Sequence, residues 1–143
     1  MFQWLLLHYK LPPEPSALRV SAWRKLKRLG AILYQDTVWV LPCTSHTREL
    51  FQWLAVEIVE MGGEAALWES KPILIGKDDS LISQFQQQAD EGYRVLLTQL
   101  ELADADLDVL SRQYQQILLK DYFHSELGQR VRQVLLTRSG VAV

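Results

Sequence analysis

Apolar positions in the first half of the chain come in short blocks closed by proline or glycine. Gln3 to Leu11 is a dense apolar run ended by Pro12 and Pro13. It is too short and too abruptly terminated for a helix, so it is read as a strand. From Ser16 to Leu29 the spacing changes: Leu18, Ala22, Leu26 and Leu29 recur at helical intervals, and Gly30 supplies a C-terminal stop. Ala31 to Leu41 reads as a hairpin turning at Gln35-Asp36-Thr37, because Val38, Trp39 and Val40 favour strand and Pro42 closes the block. Thr44 or Ser45 can cap a second helix, whose stripe of Leu50, Phe51, Leu54, Ala55, Ile58 and Met61 runs to Gly62-Gly63. Glu64 to Glu69 is a fourth strand, and Ser70 to Lys77, with Pro72 and Gly76, is a connector.

Strand, helix, strand, strand, helix, strand is the order of a ferredoxin-like split β-α-β unit, with both helices on one sheet face. Alternation, taken as regular, assigns Leu5, Leu7, Val38 and Val40 to the helix side and turns Trp4, Leu6, Trp39, Leu41 and Trp68 the other way. A face carrying three tryptophans needs a cover, from the C-terminal region or from a second subunit. Beyond the connector, Ile82, Phe85, Ala89, Tyr93, Leu96 and Leu100 predict a long helix over Asp79 to Glu101. Leu107, Leu110, Tyr114 and Ile117 predict a second helix capped by Asp104 and antiparallel to the first. A third is expected from Ser125 to about Arg138, with Leu127, Val131, Val134 and Leu135 inward. The expected architecture is α+β: a ferredoxin-like domain over residues 1–77 and a C-terminal helical hairpin extension over 78–143, packed as one unit.

Composition adds little to this until charge is mapped along the chain. The formal net charge of −2 argues against a generic nucleic-acid binder, but residues 1–56 carry seven bases against three acids and residues 57–108 twelve acids against three bases. The run from Trp4 to Tyr9 is too short to span a bilayer and no cleavage site follows it, so neither membrane insertion nor secretion is expected. The single Cys43 fits a reducing cytoplasm.

Conventional catalytic patterns are missing. His8, His46 and His124 fall on three different elements, and Cys43 stands at ligand spacing with none of them. Asp104, Asp106 and Asp108 suit the positive end of a helix better than acid–base work, and Gly62-Gly63 follows a helix where a phosphate loop would precede one. No enzyme activity, metal or cofactor is expected. The better signal is the first helix, where Leu18, Ala22, Leu26 and Leu29 share the inward arc and Arg24, Lys25, Lys27 and Arg28 the outward one, with Arg19 and Trp23 at the border. Such a face either contacts phosphates or an acidic partner, or is a solvated surface. Lys10 and Arg19, with the start of the same helix, are candidates for cradling a tetrahedral oxyanion.

Trp4 to Pro42 resembles the opening of the N-terminal domain of the ChrB chromate-resistance family. Phe51-Gln52-Trp53-Leu54, Gly62-Gly63-Glu64-Ala65, the stretch from Glu91 to Tyr93 and Lys120-Asp121-Tyr122-Phe123 resemble its later signatures, so the likeness covers nearly the whole chain. The resemblance implies a chromate-responsive regulator acting on promoters of chromate-resistance operons. Members often carry a further C-terminal domain, which is not expected within these 143 residues. The opening is also similar to the C-terminal domain of PaaX-type repressors and to the ferredoxin-like nucleases of CRISPR spacer acquisition, which implies a shared fold and a homodimer. Those nucleases place an aspartate late in strand one, where this chain reads His8-Tyr9-Lys10; a cation there would repel magnesium. The expectation is a cytoplasmic, DNA-associated transcriptional regulatory module. The alternatives are a protein–protein module without DNA contact, and last a metal-dependent nuclease.

Overall fold

The computed structural model describes residues 3–140 and divides into two compact units, residues 1–80 and 81–143. In the first, β1 (Trp4–Lys10), α1 (Ser16–Leu29), β2 (Ile32–Gln35), β3 (Val38–Pro42), α2 (Ser45–Glu60) and β4 (Glu64–Ser70) follow in the expected order. The sheet is antiparallel with strand order β2-β3-β1-β4. β3 fills the slot between β1 and β2, and β4 pairs on the other side of β1, which is the ferredoxin-like split β-α-β arrangement.

Local chemistry explains the element ends. Gly30 closes α1 at φ 78°, donating its N–H to the carbonyls of Leu26 and Lys27, a left-handed cap that costs glycine nothing. Thr44 starts α2 through a capping box: its hydroxyl accepts from the Thr47 N–H at 3.0 Å, and the Thr47 hydroxyl accepts from the Thr44 N–H at 2.9 Å. Gly63 turns the chain into β4 where a Cβ would stand 2.4 Å from the Lys10 carbonyl oxygen and 2.9 Å from Leu11 Cδ2. No other residue fits that approach without moving backbone.

Register corrects the expected division of side chains between the faces. Leu7 is opposite Trp39 and Leu67, and Leu5 is opposite Leu41 and Glu69. Directly opposed residues share a face, so Trp39 and Leu41 join Leu5 and Leu7, while Val38 and Val40 join Trp4, Leu6 and Trp68. The expectation had the two strands out of step by one residue, and one step exchanges every side chain. Tyr9 extends the Leu5–Leu7 face toward α1, where the Arg19 charge acts on its phenol. On the other face the Trp4 indole donates to Asp78 at 2.7 Å, and Lys77 lies 5.2 Å from the Tyr34 ring centroid. Trp4 is buried, whereas Trp68 is 61% exposed.

The second unit contains most of α3 (Lys77–Leu100), with α4 (Leu107–Leu119) and α5 (Glu126–Arg138). Asp106 takes the capping place expected of Asp104, accepting from the Val109 N–H at 3.2 Å, and Ser125 caps α5. Ala89, Tyr93, Leu96 and Leu100 of α3 pack with Leu110 and Tyr114 of α4 and Val131 and Leu135 of α5. Within this core the Tyr93 hydroxyl donates to Asp121 Oδ2 at 2.8 Å, and the Ser125 N–H reaches both Asp121 oxygens at 3.1 Å. The Ser125 hydroxyl donates to Asp90. Gly128 admits the Tyr93 ring, since a Cβ there would lie 2.8 Å from two ring carbons. No helix among the described residues is long and apolar enough to cross a membrane.

Candidate nucleic-acid interface

The inward stripe of α1 buries Ala22 and Leu26 completely, and this fixes what the rest of the helix shows to solvent. Arg19, Arg24, Lys27 and Arg28 are exposed. Lys25, counted with them in the sequence, turns toward α2 and pairs with Glu57. Lys25–Glu57 and Arg48–Glu69 are ion pairs, and among the described residues no α1 cation other than Lys25 takes part in one. Four cations of α1 are therefore neutralised by no carboxylate of the described chain. Lys27 and Arg28 lie in the last turn, where positive charge also favours the helix dipole.

Two surface hollows flank this ridge. One, of about 620 Å³, is lined by Tyr9, Lys10 and Leu11 from the end of β1, Arg19, Val20, Trp23 and Arg24 from α1, and Thr37 from the hairpin turn. The other, of about 490 Å³, runs along Ala17, Val20, Ser21, Arg24, Lys25 and Arg28. Arg24 borders both. Trp23 is 52% exposed, and Lys27 Nζ lies 6.0 Å from its ring centroid, so the aromatic is held under a cation at the cleft edge. Burial raises the Tyr9 pKa, while the Trp39 side chain and the Arg19 charge pull it back.

Lys10 and Arg19, the expected oxyanion pair, line the same cleft. Strand alternation gives Lys10 the face opposite Tyr9, and its cross-strand neighbour is Glu64, so Arg19 and Arg24 are the cleft's principal cations. Sequence reading placed Trp23 only at a border and passed over Tyr9 and Thr37, which reach the cleft through the topology. It also left Cys43 without neighbours: its thiol lies 3.6 Å from Glu69 Oε1, and Arg48, which pairs with that carboxylate, comes within 3.9 Å of the sulfur.

The helical unit holds a third hollow of about 780 Å³, lined by Gln86, Asp90, Arg94, His124, Ser125, Glu126, Leu127, Gln129, Arg130 and Gln133. Its charges are mixed in sign, and Asp90 is already occupied by Ser125.

Comparison with known proteins bears on the part of the chain from α1 to the end of α3. The family described as "Protein ChrB, N-terminal" matches residues 19–109. Protein ChrB of Cupriavidus metallidurans (strain ATCC 43123 / DSM 2839 / NBRC 102507 / CH34) is 36% identical over 61 residues, 43% of this chain. That match spans 19% of the relative's own length. No solved structure matches. The family match takes in α1 from Arg19 onward, the sheet hairpin, α2, β4 and α3, more than half of the residues, and on that ground the chain belongs to the ChrB N-terminal family.

Proposed function

We propose that this chain is a DNA-associated regulatory module of a chromate-resistance system and that it meets the DNA backbone with the outer face of α1. The observation that carries the reading is the set of Arg19, Arg24, Lys27 and Arg28, exposed along one side of a helix with no internal carboxylate to neutralise them. Cations left in this condition gain by displacing counterions from phosphates, which makes binding steeply dependent on salt. With a net charge of −2, such binding depends on a local basic face and not on the charge of the whole chain. No chemical step belongs to the reading, and a metal-dependent nuclease ranks below it because the end of β1 carries Tyr9 and Lys10 in place of a carboxylate.

A gel-shift assay on the DNA upstream of the chain's own operon, with and without chromate, tests this directly. Retarded DNA at physiological salt supports it; no retardation even at low salt removes it. Whether the domain itself senses the oxyanion is a separate matter. Calorimetry with chromate and with sulfate is expected to show millimolar or tighter binding that Arg19→Gln weakens, and the absence of heat with either anion would exclude sensing by Lys10 and Arg19.

One observation favours a second reading, a protein–protein module. In the connector Ile73, Leu74 and Ile75 are 96%, 76% and 105% exposed, and Trp68 on β4 is exposed nearby in sequence. Consecutive aliphatic side chains left in water mark contact surfaces. Light scattering on the pure chain distinguishes self-association from a requirement for another protein.

A further inference from the structure

The cleft between α1 and the end of β1 has a composition that phosphate contact alone does not require. Its surfaces are chiefly apolar, from Leu11, Val20 and Trp23, and its principal cations, Arg19 and Arg24, stand on the α1 side. A duplex offers phosphates while its bases stay stacked inside, so a helix that only tracks the backbone gains nothing from an apolar hollow beside an exposed tryptophan. We infer that this cleft receives a single unpaired nucleotide, its base against Trp23 and Val20 and its phosphates on Arg19 and Arg24.

Each part of the site answers a part of that ligand. Trp23 presents a half-exposed ring, with the Lys27 ammonium over it at 6.0 Å from the centroid, and an exposed aromatic beside cations is the platform on which unpaired bases stack. Arg19 and Arg24 are five residues apart on α1, on either side of Val20 and Trp23, so a nucleotide lying on the apolar strip has a cation at each end. The Tyr9 phenol and the Thr37 hydroxyl supply polar contacts for a base or sugar edge. The hollow's 620 Å³ lies within the span of about 300–1,000 Å³ usual for small-molecule sites. The second hollow on α1 has Ala17, Ser21 and the unpaired cations Arg24 and Arg28 but no aromatic residue, and it suits a backbone without its bases. The inference rests on the proposed DNA association and adds the form of nucleic acid that fills the site.

The test compares three probes on the full chain by fluorescence anisotropy: a pentathymidylate, an abasic pentamer with the same phosphates, and a 20-base-pair duplex. Stacking of one base predicts pentathymidylate binding on the order of tenfold tighter than the abasic strand. Trp23→Ala should abolish that difference, and Trp23→Phe should keep most of it. Arg28→Gln, outside this cleft, should weaken both strands alike. Equal binding of the two strands, or a difference that survives Trp23→Ala, overturns the inference. If the duplex still binds in that case, the DNA reading stands without it. If none of the three probes binds at low salt, both fall. Base-dependent binding of the strand with none of the duplex keeps the cleft and removes the promoter reading.

Discussion

Inside the helical unit Asp121 is 6% exposed and takes hydrogen bonds from the Tyr93 hydroxyl and the Ser125 N–H; on α1 four cations stand in solvent with no carboxylate to answer them. Both places are rich in polar atoms, and their partners set them apart. Around Asp121 the protein has supplied every bond itself, so the group fixes how α3 and α5 meet and has little left to offer a ligand. On α1 the bonds are left open. A polar cluster therefore marks a contact surface by what it leaves unsatisfied, not by how many charges it gathers, and the comparison can be broken at several points.

The largest effect is expected from Asp121→Ala. It strands a buried tyrosine hydroxyl and a buried N–H, and should cost about 2–4 kcal/mol in urea unfolding. A loss below about 0.5 kcal/mol would mean that the network does not hold the unit together. Gly128→Ala drives a methyl group into the Tyr93 ring and is expected to cost about 1–3 kcal/mol by the same measurement, through overpacking alone.

Alkaline unfolding should bear on the same region. Burial and the Asp121 side chain raise the Tyr93 pKa above its ordinary 10.0, and burial pushes Tyr122 up to about 12. A tyrosine that holds its proton more tightly folded than unfolded leaves stability unchanged below pH 10 and reduces it as pH rises beyond. Each such group removes roughly 1.4 kcal/mol per pH unit until its folded pKa is reached. Denaturant midpoints that stay level to about pH 9 and fall by pH 11, less steeply in Tyr93→Phe, are the expected outcome; a fall below pH 9 would place the sensitivity elsewhere.

On α1 the expectations reverse, with small effects on folding and large ones on binding. Replacing Arg24, Lys27 and Arg28 together by glutamine should change stability by no more than about 0.5 kcal/mol per site, while reducing the slope of log affinity for DNA against log salt by roughly three units. An unchanged slope would show that α1 does not touch the phosphates. The smallest effect is expected from Lys25→Gln. Its partially exposed pair with Glu57 contributes about 0–1 kcal/mol, and DNA affinity should not move; a drop equal to that of Arg28→Gln would return Lys25 to the binding face.

Element ends were legible because capping and stop chemistry is local. Gly30, Thr44, Gly62-Gly63 and Ser125 can each be read within a few residues, and so could the succession of elements along the chain that follows from them. The parity of β1 against β3 could not, because both strands are apolar on both sides and alternation has nothing to lock onto. On α1 the inward stripe and the outward cations were visible as periodicity. The withdrawal of Lys25 to Glu57, 32 residues away, and the meeting of Trp23 with Tyr9 and Thr37 required the tertiary arrangement. Tyr93 and Asp121 gave no hint of each other, since nothing in spacing ties residues 28 apart.

The hydrogen bond from Trp4 to Asp78 and the stacking of Lys77 on Tyr34 have a practical side for anyone dividing this chain into expressible pieces. A stop codon in the connector, where composition invites one, would remove the acceptor from an indole that is 1% exposed and release Lys77 from the hairpin ring. The recombinant sheet fragment should instead run at least through Ser80, carrying the opening turn of α3 as its own C-terminal tail.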